Sequence, residues 1–160
     1  MKIISGGQTG ADVAGLKEAK KHGLETGGNI PKGCLTRDGF KPEYLNLYGM
    51  KETTTSNYPT RTMLNVKESD CTIWFGENRY SAGKLCTYKH IKKLNKPSMD
   101  IDIDNLLPIQ TVTEWIDTNK FETINIAGNS ETKTNRMEQR VGDYLDKLFS
   151  ELNKENDHNV

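Results

Sequence analysis

The sequence of 160 residues lacks an excess of charge of either sign: 22 Lys and Arg balance 22 Asp and Glu. Without a basic or acidic field, neither nucleic acid nor an anionic membrane is an expected partner. Long hydrophobic runs are also missing. No segment is apolar enough to span a membrane as a helix, and the chain reaches Gly6 before a run of signal-peptide length forms. Cysteine is scarce and odd in number. Cys34, Cys71 and Cys86 include no C-x-x-C pair, which argues against a disulfide framework or a zinc site and for a reducing compartment, the cytoplasm. His22, His90 and His158 are scattered and form no metal-ligand spacing with the cysteines. Apolar residues make up only 34% of the chain. They are nevertheless periodic, so the polarity reads as a solvated surface and not as disorder.

The stretch 3–12, Ile-Ile-Ser-Gly-Gly-Gln-Thr-Gly-Ala-Asp, organises what is present. A short apolar run gives way, across three glycines, to helical spacing of Ala11, Ala14, Leu16 and Ala19. A period change from strand to helix across a Gly-rich turn opens a βαβ unit. Free N–H groups and the positive dipole end of the helix make such a turn fit for a phosphate or similar oxyanion. The spacing is neither G-x-G-x-x-G nor a P-loop. A plain tight turn is the competing reading.

Further along, a strand is expected over 2–5, a helix over 10–22 and a strand over 26–30. An irregular stretch follows to about residue 57, a length that is often functional. A helix over 56–67 is capped by Ser56 or Asn57 and places Arg61, Thr62 and Asn65 on one face. Residues 71–75 form a buried strand. Its junction, containing Ser81 and Gly83, opens a helix marked by Leu85, Tyr88, Ile91 and Leu94. The strand over 97–103 carries Asp100, Asp102 and Asp104, which read as an outward edge because the calcium-loop pattern is absent. A helix around 109–116 and a strand over 123–127 precede the third polar junction, Gly128, Asn129 and Ser130. The last helix is strongly amphipathic. Five strands alternating with five helices predict an α/β fold, Rossmann-like and doubly wound, with a mainly parallel sheet and helices on both faces. One domain spans 1–153, followed by a polar tail over 154–160. Trp74 and Trp115 read as core residues, and Cys86 as a half-buried packing cysteine.

Together these landmarks resemble the molybdenum-carrier family. The resemblance rests on residues 4–12, Gly27-Gly28, Pro31-Lys32-Gly33, Asp38-Gly39, Tyr58-Pro59-Thr60-Arg61-Thr62 with Asn65-Val66, Ser69-Asp70, and Ala127-Gly128. The wider Rossmann-like group includes lysine-decarboxylase-like proteins, cytokinin-activating phosphoribohydrolases and nucleotide-sensing domains of bacterial defence systems. Two arginines usual in the family are replaced here, by Val13 and by Asn129-Ser130, and the family's Gly-Gly-Thr junction is Ser81-Ala82-Gly83-Lys84. The resemblance also implies a homodimer or homotetramer.

The expected function is to bind, and to carry or sequester, a phosphorylated nucleotide-like molecule without chemistry. A nucleotide signal and molybdenum cofactor are the two ligand classes. Ser5, Gly6, Gly7, Gln8, Thr9 and Gly10 would donate to an anion, Arg61 and Lys84 would add charge, and Thr62, Asn65, Ser81, Gly83, Thr87, Gly128, Asn129 and Ser130 would complete the pocket. The alternative is a phosphoribohydrolase-like or other nucleotide-cleaving enzyme, with Asp12 or Asp70 as its general acid or base.

Overall fold

The computed structural model describes residues 1–158. Its strands and helices are β1 (Lys2–Ile4), α1 (Ala11–Lys21), β2 (Glu25–Gly27), β3 (Asn29–Ile30), β4 (Leu35–Thr36), β5 (Gly39–Phe40), α2 (Tyr44–Leu47) and β6 (Lys51–Glu52), then α3 (Tyr58–Lys67), β7 (Cys71–Gly76), α4 (Ala82–Leu94), β8 (Ser98–Asp102), α5 (Ile109–Asn119), β9 (Thr123–Gly128) and α6 (Met137–His158).

The main sheet has five parallel strands in the order β2-β1-β9-β7-β8. Numbered from β7 as the first strand, the same sheet reads 2-1-3-4-5, the flavodoxin-like order. The chain is therefore a doubly wound sheet entered at its fourth strand. Right-handed crossovers then place α1, α5 and α6 on one face and α3 and α4 on the other. The packing agrees: α6 lies on α1 and α5, and α3 lies on α4.

The two faces differ in chemistry. In one set of rows across the strands Ile3, Ile124 and Cys71 stand side by side, as do Ile126, Ile73 and Met99. These rows meet Val112 and Ile116 of α5 and Val141, Leu145, Leu148 and Phe149 of α6, forming the main core. The alternate rows carry Asn125 with Thr72 and Ala127 with Trp74. This side, beneath α3 and α4, is polar. Buried polar side chains stay only where they are hydrogen-bonded, and Asn125 Nδ2 does donate to Thr72 Oγ1 at 3.1 Å.

The stretch expected as one strand over 26–30 is two. Gly28 breaks it at φ 121°, where a Cβ would stand 2.1 Å from the Ser5 carbonyl. The chain leaves the main sheet there, and β3 pairs with β6 instead. The long irregular stretch is consequently anchored. Ile30, Cys34, Tyr48 and Met50 pack on Leu16 of α1 as a second small core. Helix α3 starts where expected, with Asn57 Oδ1 accepting from the Thr60 N–H at 2.9 Å. The tail expected over 154–160 is helical as far as His158, since α6 continues through it; Asn159 and Val160 lie outside the described residues. No helix among the described residues is long and apolar enough to cross a membrane.

Candidate functional site

The loops after β1, β7 and β9 all leave the carboxyl end of the sheet. They surround a cavity of about 440 Å³ on the polar face, next to α3 and α4. Helix α4 follows β7 onto one face and α6 follows β9 onto the other, so the cavity stands at the point where the winding reverses. That is where open α/β sheets hold ligands.

Asn129 ties the three junctions together. Its carbonyl accepts from the Ala11 N–H at 3.2 Å, and its own N–H donates to the Phe75 carbonyl at 3.0 Å. Its Oδ1 accepts from the Glu77 N–H at 2.9 Å, and its Nδ2 reaches Ser81 Oγ at 3.4 Å. Such close approach needs bare backbone around it. A Cβ on Gly128 would lie 2.0 Å from the Phe75 carbonyl oxygen, and one on Gly10 would lie 2.4 Å from the Asn129 oxygen.

The first turn is not an open anion cradle, because most of its donors already have partners within the protein. Ser5 Oγ donates to the Asp12 carbonyl and accepts from the Gly7 N–H. The Gln8 N–H donates to Asp12 Oδ2 at 3.3 Å, and the Thr9 N–H to Gln8 Oε1 at 2.9 Å. The Asp12 carboxylate thus takes the place that a bound anion would have. Of the six turn residues expected at the ligand, Gly6 and Gln8 line the cavity, and Ser5, Gly7, Thr9 and Gly10 do not.

Arg61 completes this arrangement from α3. Its Nη1 donates to the Gly6 carbonyl at 2.9 Å and to Asp12 Oδ2 at 3.1 Å. Its guanidinium lies over the Tyr58 ring, 5.1 Å from the centroid, a favourable cation–π placement. Its Nε is buried without a hydrogen-bond partner. Burial pushes the Asp12 carboxyl up to about 6, although Arg61 and the Gln8 and Gly6 N–H groups pull the other way. Asn65, one turn on, clamps α3 to β3: its Oδ1 accepts from the Asn29 N–H at 2.8 Å and its Nδ2 donates to the Asn29 carbonyl at 3.1 Å.

Thr62, Asn65, Ser81, Gly83, Thr87, Gly128, Asn129 and Ser130 line the cavity. Besides the four turn residues, two other expected residues do not. Lys84 swings to the sheet edge, where its Nζ pairs with Asp100 at 2.7 Å. Asp70 sits at the opposite end of the sheet and accepts from the Glu122 and Thr123 N–H groups, which hold its carboxyl below the usual range. It caps strands and is remote from the cavity.

The lining also includes residues that sequence reasoning assigned elsewhere or passed over. Trp74 forms part of one wall, with its Nε1 buried and unpartnered, and Cys86 adds a thiol from α4. Asn125 and Ala127 contribute the floor from β9. The signal for them was an asparagine alternating with isoleucines in a buried strand, which marks one sheet face as polar. Arg37, from the turn joining β4 and β5, completes the rim, and no local pattern marks it.

The crystal structure of "Putative molybdenum carrier protein" from Syntrophus aciditrophicus SB superposes on this chain with a TM-score of 0.83. The two are 36% identical over 92% of this chain and 93% of that one. No curated protein matches the chain. A family model described as circularly permutated YpsA SLOG matches residues 3–149. A permuted chain is what the strand order requires, because only by starting the count at β7 does the sheet take the 2-1-3-4-5 arrangement. The chain belongs to the circularly permutated YpsA SLOG family.

Proposed function

We propose that the protein holds a small phosphorylated, nucleotide-like molecule in the cavity, for carriage or sequestration and not for cleavage. The supporting observation is the convergence of three loop–helix junctions on one cavity with two kinds of wall. Trp74, Pro59 and Ala127 offer apolar surface suited to a planar heterocycle. Ser81, Thr87, Asn125 and Asn129 offer donors and acceptors at fixed positions. Pockets of this mixed character fix a ligand's orientation with a few polar groups and gain affinity from the rest. Helix α4 opens onto the cavity at Ser81, Ala82 and Gly83, and its amino end favours an anion there.

The tie between Asp12 and Arg61 supports holding over cleaving. A general acid or base must reach the bond it acts on, and Asp12 Oδ2 is already engaged by Gln8 and Arg61. A phosphorylated pterin, as in molybdenum cofactor, combines a planar ring with a phosphate as a nucleotide does, so the same walls suit either class.

The test is to purify the protein gently, denature it and identify the released small molecules by mass spectrometry. Thermal shifts against nucleotides are then measured for the parent and for Thr62→Trp. Thr62 is half-buried at the cavity wall, so tryptophan there fills space without disturbing the core. A nucleotide or pterin released by the parent, with loss of the thermal shift in the variant, is the expected result. A thermal shift that survives in Thr62→Trp places the ligand elsewhere and rejects the reading.

A further inference from the structure

Three ionised side chains line the cavity: Asp12, Arg37 and Arg61. Asp12 and Arg61 neutralise each other at 3.1 Å, and the second bond of Arg61 Nη1 goes to the Gly6 carbonyl. Lys84, the other cation expected here, is bound to Asp100. Arg37 is different. Its neighbour Asp38 pairs with Lys41 at 3.4 Å, and among the described residues no carboxylate lies within ion-pair distance of Arg37 itself. The cavity thus carries one uncompensated positive charge, and it stands at the rim.

The backbone that carries that charge is held by Gln8. The Gln8 Oε1 accepts from the Arg37 N–H at 2.8 Å as well as from the Thr9 N–H at 2.9 Å. Gln8 is itself held: its N–H donates to Asp12, and its carbonyl accepts from the Val13 N–H at 3.0 Å. One buried amide therefore sets the β4–β5 hairpin tip in register with the first junction.

Resting on the reading of the cavity as the ligand site, we propose that Arg37 is the contact for the ligand's tetrahedral oxyanion, with Gln8 as the residue that positions it. The site then selects ligands by a phosphoryl-type group, and this selection comes from the hairpin and not from the Gly-rich turn or Arg61. A guanidinium meets such a group with two parallel N–H donors. A lysine at 37 keeps the charge and loses the fork.

The probes are AMP, adenosine and inorganic phosphate, titrated calorimetrically into the parent, Arg37→Ala, Arg37→Lys, Gln8→Leu and the Arg37→Ala/Gln8→Leu double variant. Position 37 is an exposed hairpin tip, so its variants fold as the parent does. The parent is expected to prefer AMP over adenosine by roughly 10- to 100-fold, the range of a charge-assisted hydrogen-bonded pair. Arg37→Ala removes most of the preference, and Arg37→Lys restores part of it. Gln8→Leu weakens AMP binding in the parent background but not in Arg37→Ala, a non-additivity that a merely structural role would not produce. Phosphate binding alone as tightly as AMP, with the same dependence on Arg37, supports the oxyanion contact and makes the free ion its source. AMP preference retained in Arg37→Ala overturns the inference while leaving the cavity reading intact. A parent that binds none of the three probes overturns both.

Discussion

Asp12 sets two opposing effects against each other, and its titration shows which wins. Burial raises its carboxyl from the usual 3.8 to about 6, outweighing Arg61 and the two backbone N–H groups that favour the charged form. A folded-state value above the unfolded one means that the folded protein binds this proton more tightly. The associated stability is therefore complete below about pH 4 and is lost as the pH rises through about 6. At about 1.4 kcal/mol for each tenfold change in proton affinity, the loss amounts to about 3 kcal/mol. Asp12→Asn removes the titration but keeps an oxygen to accept from Gln8 and Arg61. Urea unfolding of parent and variant between about pH 4 and about pH 8 isolates the effect, because every other carboxylate titrates in both and cancels. Parent stability relative to the variant should fall by about 2 kcal/mol across this range, the greater part of the whole effect, with its midpoint near pH 5. A constant offset from the altered Gly6 contact leaves the slope untouched. A difference that rises with pH would mean that the ion pair with Arg61 dominates burial, and the reasoning would be refuted; a flat difference would refute it equally.

The remaining tests concern the frame around the cavity. Gly6→Ala sets a Cβ 1.8 Å from Arg61 Nη1; equilibrium unfolding should show a loss of about 1–3 kcal/mol as the arginine is displaced. Gly128→Ala collides with a backbone carbonyl that cannot turn aside, and should give little soluble protein on expression, where Gly142→Ala, which meets only the Glu18 side chain at 3.5 Å, should express normally. Asn57→Ala removes the cap on α3 and should lower stability by about 1 kcal/mol with unchanged ligand binding, since the bond lost is to Thr60 alone.

The alternation of strands and helices was legible because β1, β7 and β9 are largely apolar runs and the long helices keep their spacing. Residues 71–76 are buried throughout and carry no charge, and their strand state follows from that alone. The convergence of the three polar junctions was legible too, since parallel strands put all their carboxyl ends on one side. What could not be read was where each donor points. Asp12 looks like any acidic residue in a first helical turn, yet it folds back onto the Gln8 N–H and makes the Gly-rich loop self-sufficient. Lys84 and Arg37 exchange roles for a related reason. The choice between them depends on Asp100 reaching one and Gln8 holding the other, contacts made across the sheet edge and the hairpin and not along the chain. Trp74 was assigned to the core by its size; its burial is real, but the face it occupies is set by strand register.

The order of the strands also governs the history of the chain during synthesis. Lys2 lies beside Glu25 on one side and beside Thr123 on the other. β1 leaves the ribosome well before β9 and waits for it before its second edge is covered, and closing so long a loop is slow. Until then Ile3 and Ile4 present an open apolar edge, the kind that recruits other chains. The Ala11 N–H finds its acceptor only when Asn129 arrives. The loop after β1, made early, is thus finished late, and a nascent or truncated chain lacking β9 carries the first two junctions of the cavity without the floor and the third junction that complete it.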